Sequence, residues 1–190
     1  MIRLKILITS TRPGRVSPQF AHWIEGVARG LPAFSVEVID LKEVNLPFFD
    51  EPEHPAKRQY VHEHTKAWSR TIDEADAFVV IATEYNYGFT AVFKNAIDYL
   101  AQEWKHKPVG FVGYGGVAGG TRSIQLMKPV LTSLNMVPLT EAVYLPFYRQ
   151  HLDAEGKFQP TEDHHRQALV MLAALEKWAG VLKPLRETPA

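Results

Sequence analysis

The stretch Ser10-Thr11-Arg12-Pro13-Gly14-Arg15-Val16-Ser17 brings together three hydroxyls, two guanidinium groups and a glycine. Hydroxyls donate to phosphate oxygens, arginines supply positive charge, and Gly14 lets the backbone turn tightly against a ligand. The chemistry this composition suits is anion binding. A monophosphate fits better than a triphosphate, because there is no Gly-x-x-x-x-Gly-Lys-Ser/Thr sequence and no magnesium ligand beside the stretch. The three spaced glycines of a dinucleotide fingerprint are also missing. On this stretch alone, a solvated turn with outward-pointing arginines is the alternative.

Two further stretches carry complementary chemistry. Thr83-Glu84-Tyr85-Asn86-Tyr87-Gly88-Phe89 offers aromatic rings that stack on a flat heterocycle, and Asn86 with backbone amides can hydrogen-bond the heterocycle's edge. Gly115-Gly116-Val117-Ala118-Gly119-Gly120 allows the main chain to lie close against the same ring. A phosphate grip, an aromatic and polar flank, and a backbone edge are together what a flavin mononucleotide (FMN) requires.

The surrounding elements must bring these stretches together. Leu4 to Thr9 reads as a buried first strand, and Phe20, Trp23, Ile24, Val27 and Leu31 fall at helical spacing, with Ser17 or Pro18 placed to open that helix. A helix N-terminus after a polar loop favours an anion, because its first N–H groups lack partners and its dipole is positive there. Phe34 to Asp40 alternates as an edge strand, and residues 41–62, with Pro47, Pro52 and Pro55, form a long connection without standard elements. Such a connection bears function or an interface, or simply packs on its own strand. A modest helix over 63–75 precedes the apolar strand Asp76 to Ala82. A helix from Ala91 to about Gln102, a strand over 108–114, a helix placing Ile124, Met127, Leu131 and Leu134 on one face, a strand over 137–145 and a last helix over about 162–182 follow.

Alternating strands and helices imply right-handed crossovers and a parallel sheet covered on both faces. Five strands point to an α/β, flavodoxin-like three-layer sandwich with strand order 2-1-3-4-5, and the length fits one domain over residues 1–190. In that order the loops after strands 1 and 3 flank the switch point where ligands bind.

Composition excludes several classes. Twenty-one basic residues balance twenty-one acidic ones, so no overall field recruits nucleic acid or an anionic membrane. The absence of cysteine removes disulfides, thiol nucleophiles and thiolate-bound metals. Any redox chemistry must be carried by a bound cofactor. The N-terminal residues intersperse charge and run into the first strand, which reads as neither signal peptide nor span, so the expected location is the cytoplasm. His62-Glu63-His64 and His164-His165 lack metal-ligand spacing and read as surface histidines, and no metal is expected. Lys94 and Asn95 read as plain surface or cap-region residues, and Asp98 as a solvent-facing or interface carboxylate.

The three stretches, with Val92-Phe93-Lys94-Asn95-Ala96-Ile97-Asp98 after the second, resemble the motifs of the NADPH-dependent FMN reductase family in its order, over most of residues 3–145. That family includes quinone, azo-dye and chromate reductases. The resemblance implies non-covalent FMN with its phosphate at Ser10, Arg12, Arg15 and Ser17, within a cofactor-binding set that also takes in Val16. The ring would lie against Glu84, Tyr85, Asn86 and Tyr87, with Gly88 in the same loop and Gly115 and Gly116 closing over it. It further implies reduction by NAD(P)H, electron transfer to a small-molecule acceptor such as a quinone, free flavin or azo compound, and a homodimer or homotetramer. Trp104 and Tyr99 are candidate interface residues, against ordinary partial exposure. Thr83 and Thr90 stand where the family commonly has proline, which bears on the shape of the ring-side loop.

In such a protein the cofactor carries the hydride chemistry, so no side chain is assigned as catalytic. Tyr85 and Tyr87 are expected to shape the acceptor site. The alternative is a flavodoxin-type carrier, which binds FMN without NAD(P)H turnover, although flavodoxins tend to be acidic and this chain is neutral. A phospho-acceptor signalling domain needs an aspartate at the end of strand 3 and acidic residues after strand 1, and Ala82-Thr83 and Ser10-Thr11 supply neither.

Overall fold

The computed structural model describes residues 1–187, so the last three residues of the expected domain lie outside the described residues. Its five strands are β1 (Ile2–Ile8), β2 (Phe34–Asp40), β3 (Ala77–Thr83), β4 (Pro108–Tyr114) and β5 (Val137–Leu145). All pair in parallel in the order β2-β1-β3-β4-β5, the flavodoxin-like arrangement. β3 and β4 are buried at every position because both their faces are covered, which is why they read as unbroken apolar runs. β2, at the edge, alternates buried and exposed positions along its first half.

The helices are α1 (Ser17–Arg29), α2 (Leu41–Val44), α3 (Glu63–Asp73), α4 (Ala91–Asp98), α5 (Thr121–Ser133) and α6 (Glu162–Glu187). α1 and α6 cover one face, where Phe20, Ile24, Met171, Leu172 and Leu175 pack on β1, β3 and β4. α3, α4 and α5 cover the other with Trp68, Ile72, Phe93, Ile97, Ile124 and Leu131. Each such fully buried side chain contributes about 1.5–3 kcal/mol relative to exposure.

The connection over 41–62 has more structure than its prolines suggest. Asp40 caps α2 by accepting from Lys42 N at 3.0 Å, Asn45 ends it at φ 48°, and Pro55–Lys57 forms a 3₁₀ turn. The rest is tied down by side chains. Asn95 Nδ2 donates to Pro47 O at 2.7 Å and its Oδ1 accepts from Phe49 N at 2.9 Å, so Asn95 is no plain surface residue. Glu51 accepts from Val61 N and His62 N, and Tyr60 and Ser69 donate to buried Glu103.

α4 ends at Asp98, short of Gln102, because Tyr99 and Leu100 turn into the core and a 3₁₀ turn follows at Gln102–Trp104. Tyr99 and Trp104 are consequently buried within this chain, and neither is an interface residue nor partly exposed. The Tyr99 hydroxyl donates to Asp50 at 2.9 Å, while Trp104 packs against Trp68 and Phe78. α6 continues past 182 to Glu187.

Candidate functional site

The loops after β1, β3 and β4 leave the same ends of three adjacent strands, so the topology alone makes them neighbours. Side chains then join them. Ser10 Oγ and Tyr85 Oη are 2.7 Å apart, linking the first loop to the second. Thr90 Oγ1 donates to Thr9 O at 2.8 Å while accepting from Phe93 N, so Thr90 caps α4 and fastens it to the end of β1. Thr83 Oγ1 and Tyr114 Oη lie 2.8 Å apart beneath the crevice. The two threonines that stand where proline is common are thus structural, each supplying a hydroxyl that proline lacks.

In the first loop, α1 begins at Ser17 with Val16 as its N-cap. No side chain caps it and no acidic residue lies in its first turn. Pro18 has no N–H and Gln19 N donates to Val16 O at 3.0 Å, so what this helix end offers an anion is chiefly the positive end of its dipole. Ser17 is buried; its Oγ makes no well-formed hydrogen bond among the described residues and lies beside the Tyr114 hydroxyl. Arg12 is exposed, with no carboxylate paired to it among the described residues. Arg15 is differently placed: Nη1 donates to Ser10 O at 2.5 Å and to Asp40 Oδ1 at 2.6 Å, and Nη2 pairs with Asp40 Oδ2. This bidentate pairing raises the guanidinium pKa further, and it braces the loop from beneath.

The second loop is a tight turn. Tyr85 and Gly88 exchange two backbone hydrogen bonds, at 3.0 and 2.9 Å, and the residues between them, Asn86 and Tyr87, take φ of 48° and 70°. Both central residues lie in the left-handed region that glycine and asparagine favour, so Tyr87 is held in a conformation costing about 1–3 kcal/mol. Tyr87 projects outward and is exposed. Glu84 points inward, and its carboxylate accepts from Arg122 Nε at 2.5 Å.

In the third loop Gly116 O accepts from Gly119 N and from Phe147 N, which fixes the turn against the end of β5. A Cβ on Gly115 would stand 3.3 Å from Gly120 N and 3.7 Å from Glu84 Cβ, so the second and third loops are in close contact. A cavity of about 280 Å³ opens beside Gly115 and Gly116, walled by Phe147, Tyr148, Arg149 and Gln150. Another, of about 470 Å³, opens beyond Thr11 between the 41–48 segment and α4.

The structure thus sets the three loops side by side, joined by the Ser10–Tyr85 and Gly115–Glu84 contacts, with Arg15 turned toward Asp40. Sequence reasoning missed Thr9, Tyr114 and Arg122 as parts of this assembly. Tyr114 had one signal, its position immediately before the glycines. Burial raises its pKa, against the opposing effect of the Thr83 hydroxyl. Elsewhere, His62 and His64 stack on each other beside Asp50, and His164 packs on Phe158.

A doubly wound sheet in this order, with its loops gathered at the switch point, defines a protein of the flavodoxin-like class. Residues 2–150 match the family described as NADPH-dependent FMN reductase. The chain belongs to that family and is an FMN-dependent NAD(P)H oxidoreductase. It is 38% identical over 148 residues to a Schizosaccharomyces pombe protein named NAD(P)H-dependent FMN reductase C4B3.06c, covering 76% of this chain and 74% of the relative. It is 32% identical to the Saccharomyces cerevisiae protein LOT6, named an NAD(P)H-dependent FMN reductase, over 71% of this chain and 76% of that one. Among solved structures, the Paracoccus denitrificans flavoenzyme FerB, an NAD(P)H:(acceptor) oxidoreductase, superposes with a TM-score of 0.76 at 19% identity, covering 96% of this chain and 99% of FerB.

Proposed function

We propose that Ser10, Arg12, Arg15, Val16 and Ser17 hold the phosphate of FMN, and that Glu84, Tyr85, Asn86, Tyr87, Gly88, Gly115 and Gly116 hold its ring. The observation that carries this reading is that two of the buried side-chain atoms without a well-formed hydrogen bond, Ser17 Oγ and Glu84 Oε2, belong to the first and second of the converging loops. Buried polar atoms normally find partners, so two such atoms in neighbouring loops fit a ligand that supplies them. The uncapped start of α1 fits a phosphate monoester in particular.

FMN, when bound, accepts hydride from the nicotinamide and passes electrons onward. The chain's own residues bind and orient. Ser17 and the positive N-terminal end of α1 hold the phosphate, with Arg12 adding charge from the rim. Arg15 keeps the loop in shape through Asp40 and Ser10 O. The Ser10–Tyr85 contact holds the ring-side turn at a fixed distance from the phosphate loop. Exposed Tyr87 borders the space where an acceptor approaches. We infer that the acceptor is a quinone, a free flavin or an azo compound. Relatives named NAD(P)H:quinone oxidoreductase from Solanum tuberosum and FMN-dependent NADPH-azoreductase from Staphylococcus saprophyticus support that class. We also infer a single domain acting as a homodimer or homotetramer in the cytoplasm. Among the described residues no helix is long and apolar enough to cross a membrane.

The test is a visible spectrum of the purified protein followed by anaerobic titration with NADH and with NADPH. Flavin absorbance that bleaches on adding nicotinamide is the expected result. Flavin absorbance that persists would favour an electron carrier, and protein that refuses added FMN would overturn the reading.

A further inference from the structure

We propose that Arg122 offsets the charge of Glu84 beside the flavin and so keeps that carboxylate from lowering the potential of bound FMN, an inference that rests on the FMN reading above. Glu84 follows β3 directly, and its side chain is only 7% exposed. Oε1 accepts from Arg122 Nε at 2.5 Å, while Oε2 has no hydrogen-bond partner among the described residues. A buried carboxylate needs its charge compensated, and an arginine is the side chain that does not lose its proton. Arg122 meets that need from the first turn of α5.

The same guanidinium lies 3.8 Å from the centroid of the Tyr87 ring. Arg122 therefore grips the ring-side turn at both ends, by charge at Glu84 and by its planar face at Tyr87. That grip spans Asn86 and Tyr87, the two positive-φ residues of the turn, whose backbone conformation needs support from outside. Glu84 Cβ also lies 3.7 Å from where a Cβ on Gly115 would be, so the carboxylate sits at the junction of the two loops assigned to the ring. A charge of either sign is thereby fixed next to the part of the site whose ligand changes charge.

The electrostatic consequence has a definite sign. A flavin that takes up electrons gains negative charge toward its pyrimidine edge, and protein charges there tune it. The Glu84 carboxylate alone opposes reduction, and the Arg122 cation favours it. Held in contact, the two largely cancel. Arg122 is thus a positioning residue that also offsets the charge of Glu84.

The experiment compares wild type with Arg122→Gln, Glu84→Gln, the double variant and Arg122→Lys. FMN binding is measured by quenching of flavin fluorescence, and the midpoint potential of bound FMN is measured spectroscopically. Arg122→Gln should raise the preference for oxidised over reduced flavin about tenfold, a fall of about 30 mV for a two-electron couple. Glu84→Gln should shift it the other way, and the double variant should return to within about twofold of wild type, as a coupled pair requires. Arg122→Lys keeps the charge and should keep the potential even though it loses the planar stacking on Tyr87. A purely structural role would weaken FMN binding in both arginine variants and leave the potential unmoved, which would overturn the proposal. If Arg122→Gln fails to fold, an unchanged potential in Glu84→Gln overturns it equally. Wild-type protein that binds no FMN would instead reject the underlying reading, a result visible in the first titration.

Discussion

The role proposed for Ser17 serves a ligand and not the fold. The Ser17 hydroxyl is buried and makes no well-formed hydrogen bond, so Ser17→Ala removes an unsatisfied donor rather than a bond. The apoprotein's thermal midpoint should stay level or rise slightly. FMN affinity should fall about tenfold or more, since a hydrogen bond to a charged group contributes about 1.5–3 kcal/mol. Calorimetric unfolding beside fluorescence titration separates the two effects, and parallel losses in both would contradict the assignment. The tyrosines of the neighbouring turn divide in the same manner. Tyr85→Phe removes the contact to Ser10 Oγ and should weaken FMN retention, whereas exposed Tyr87 replaced by alanine should impair acceptor turnover more than FMN retention. Steady-state kinetics with a quinone, read against the flavin content of each variant, checks this. The hydroxyls and glycines of the site were legible in sequence because their residue types are informative by themselves. Arg15 was legible as a cation, but its engagement with Asp40 was not, since that carboxylate arrives from the end of a strand 25 positions later.

At the scale of elements, the strands and the helices packed on them could be read from periodicity, and the discrepancies fall where side chains from distant segments decide. The 41–62 connection is shaped by Asn95 and Tyr99 of the α4 region, which no local pattern announces. Asn95→Ala should cost about 1 kcal/mol for its hydrogen bonds. Hydrogen exchange at the Phe49 amide should accelerate markedly, while exchange in β3 stays unchanged.

The end of α3 offers a pH-dependent counterpart. Lys107 is buried, and its Nζ donates to Ile72 O at 2.7 Å and Asp73 O at 3.0 Å, closing the helix's last carbonyls. Burial first, and the nearby Arg186 second, push its pKa down from 10.5 to about 7. Between those two values the unfolded chain holds a proton at this amine that the folded chain does not, so stability rises with pH across that window. Below about pH 7 the folded protein carries the buried charge, and this contribution is flat and at its least favourable. Lys107→Met should therefore flatten the rise in urea midpoint between pH 7 and pH 10, relative to wild type. An identical slope in both proteins would rule out titration at this site.

For the molecule as a whole, the alternation of strands and helices was enough to order the sheet, because handedness and burial leave few arrangements for five parallel strands. What periodicity does not reveal is how closely each helix approaches. α6 lies outside the stretch that matches the family, yet it supplies Ala168, Met171, Leu172, Leu175 and Ala179 to the core over one face of the sheet. Its approach to β4 is permitted by Gly110, where a Cβ would stand 2.8 Å from Met171 Sδ and 3.1 Å from Leu175 Cδ1. Gly110→Ala should destabilise by about 1–3 kcal/mol through overpacking. Met171→Ala alone should destabilise by about 2–5 kcal/mol through the cavity it leaves. Combined, the added methyl occupies space that the missing thioether vacates, so the double variant should be more stable than the sum of the two losses by at least about 0.5 kcal/mol. Denaturant midpoints of the four proteins measure that coupling directly. Strict additivity would mean that α6 shifts along the sheet without resistance.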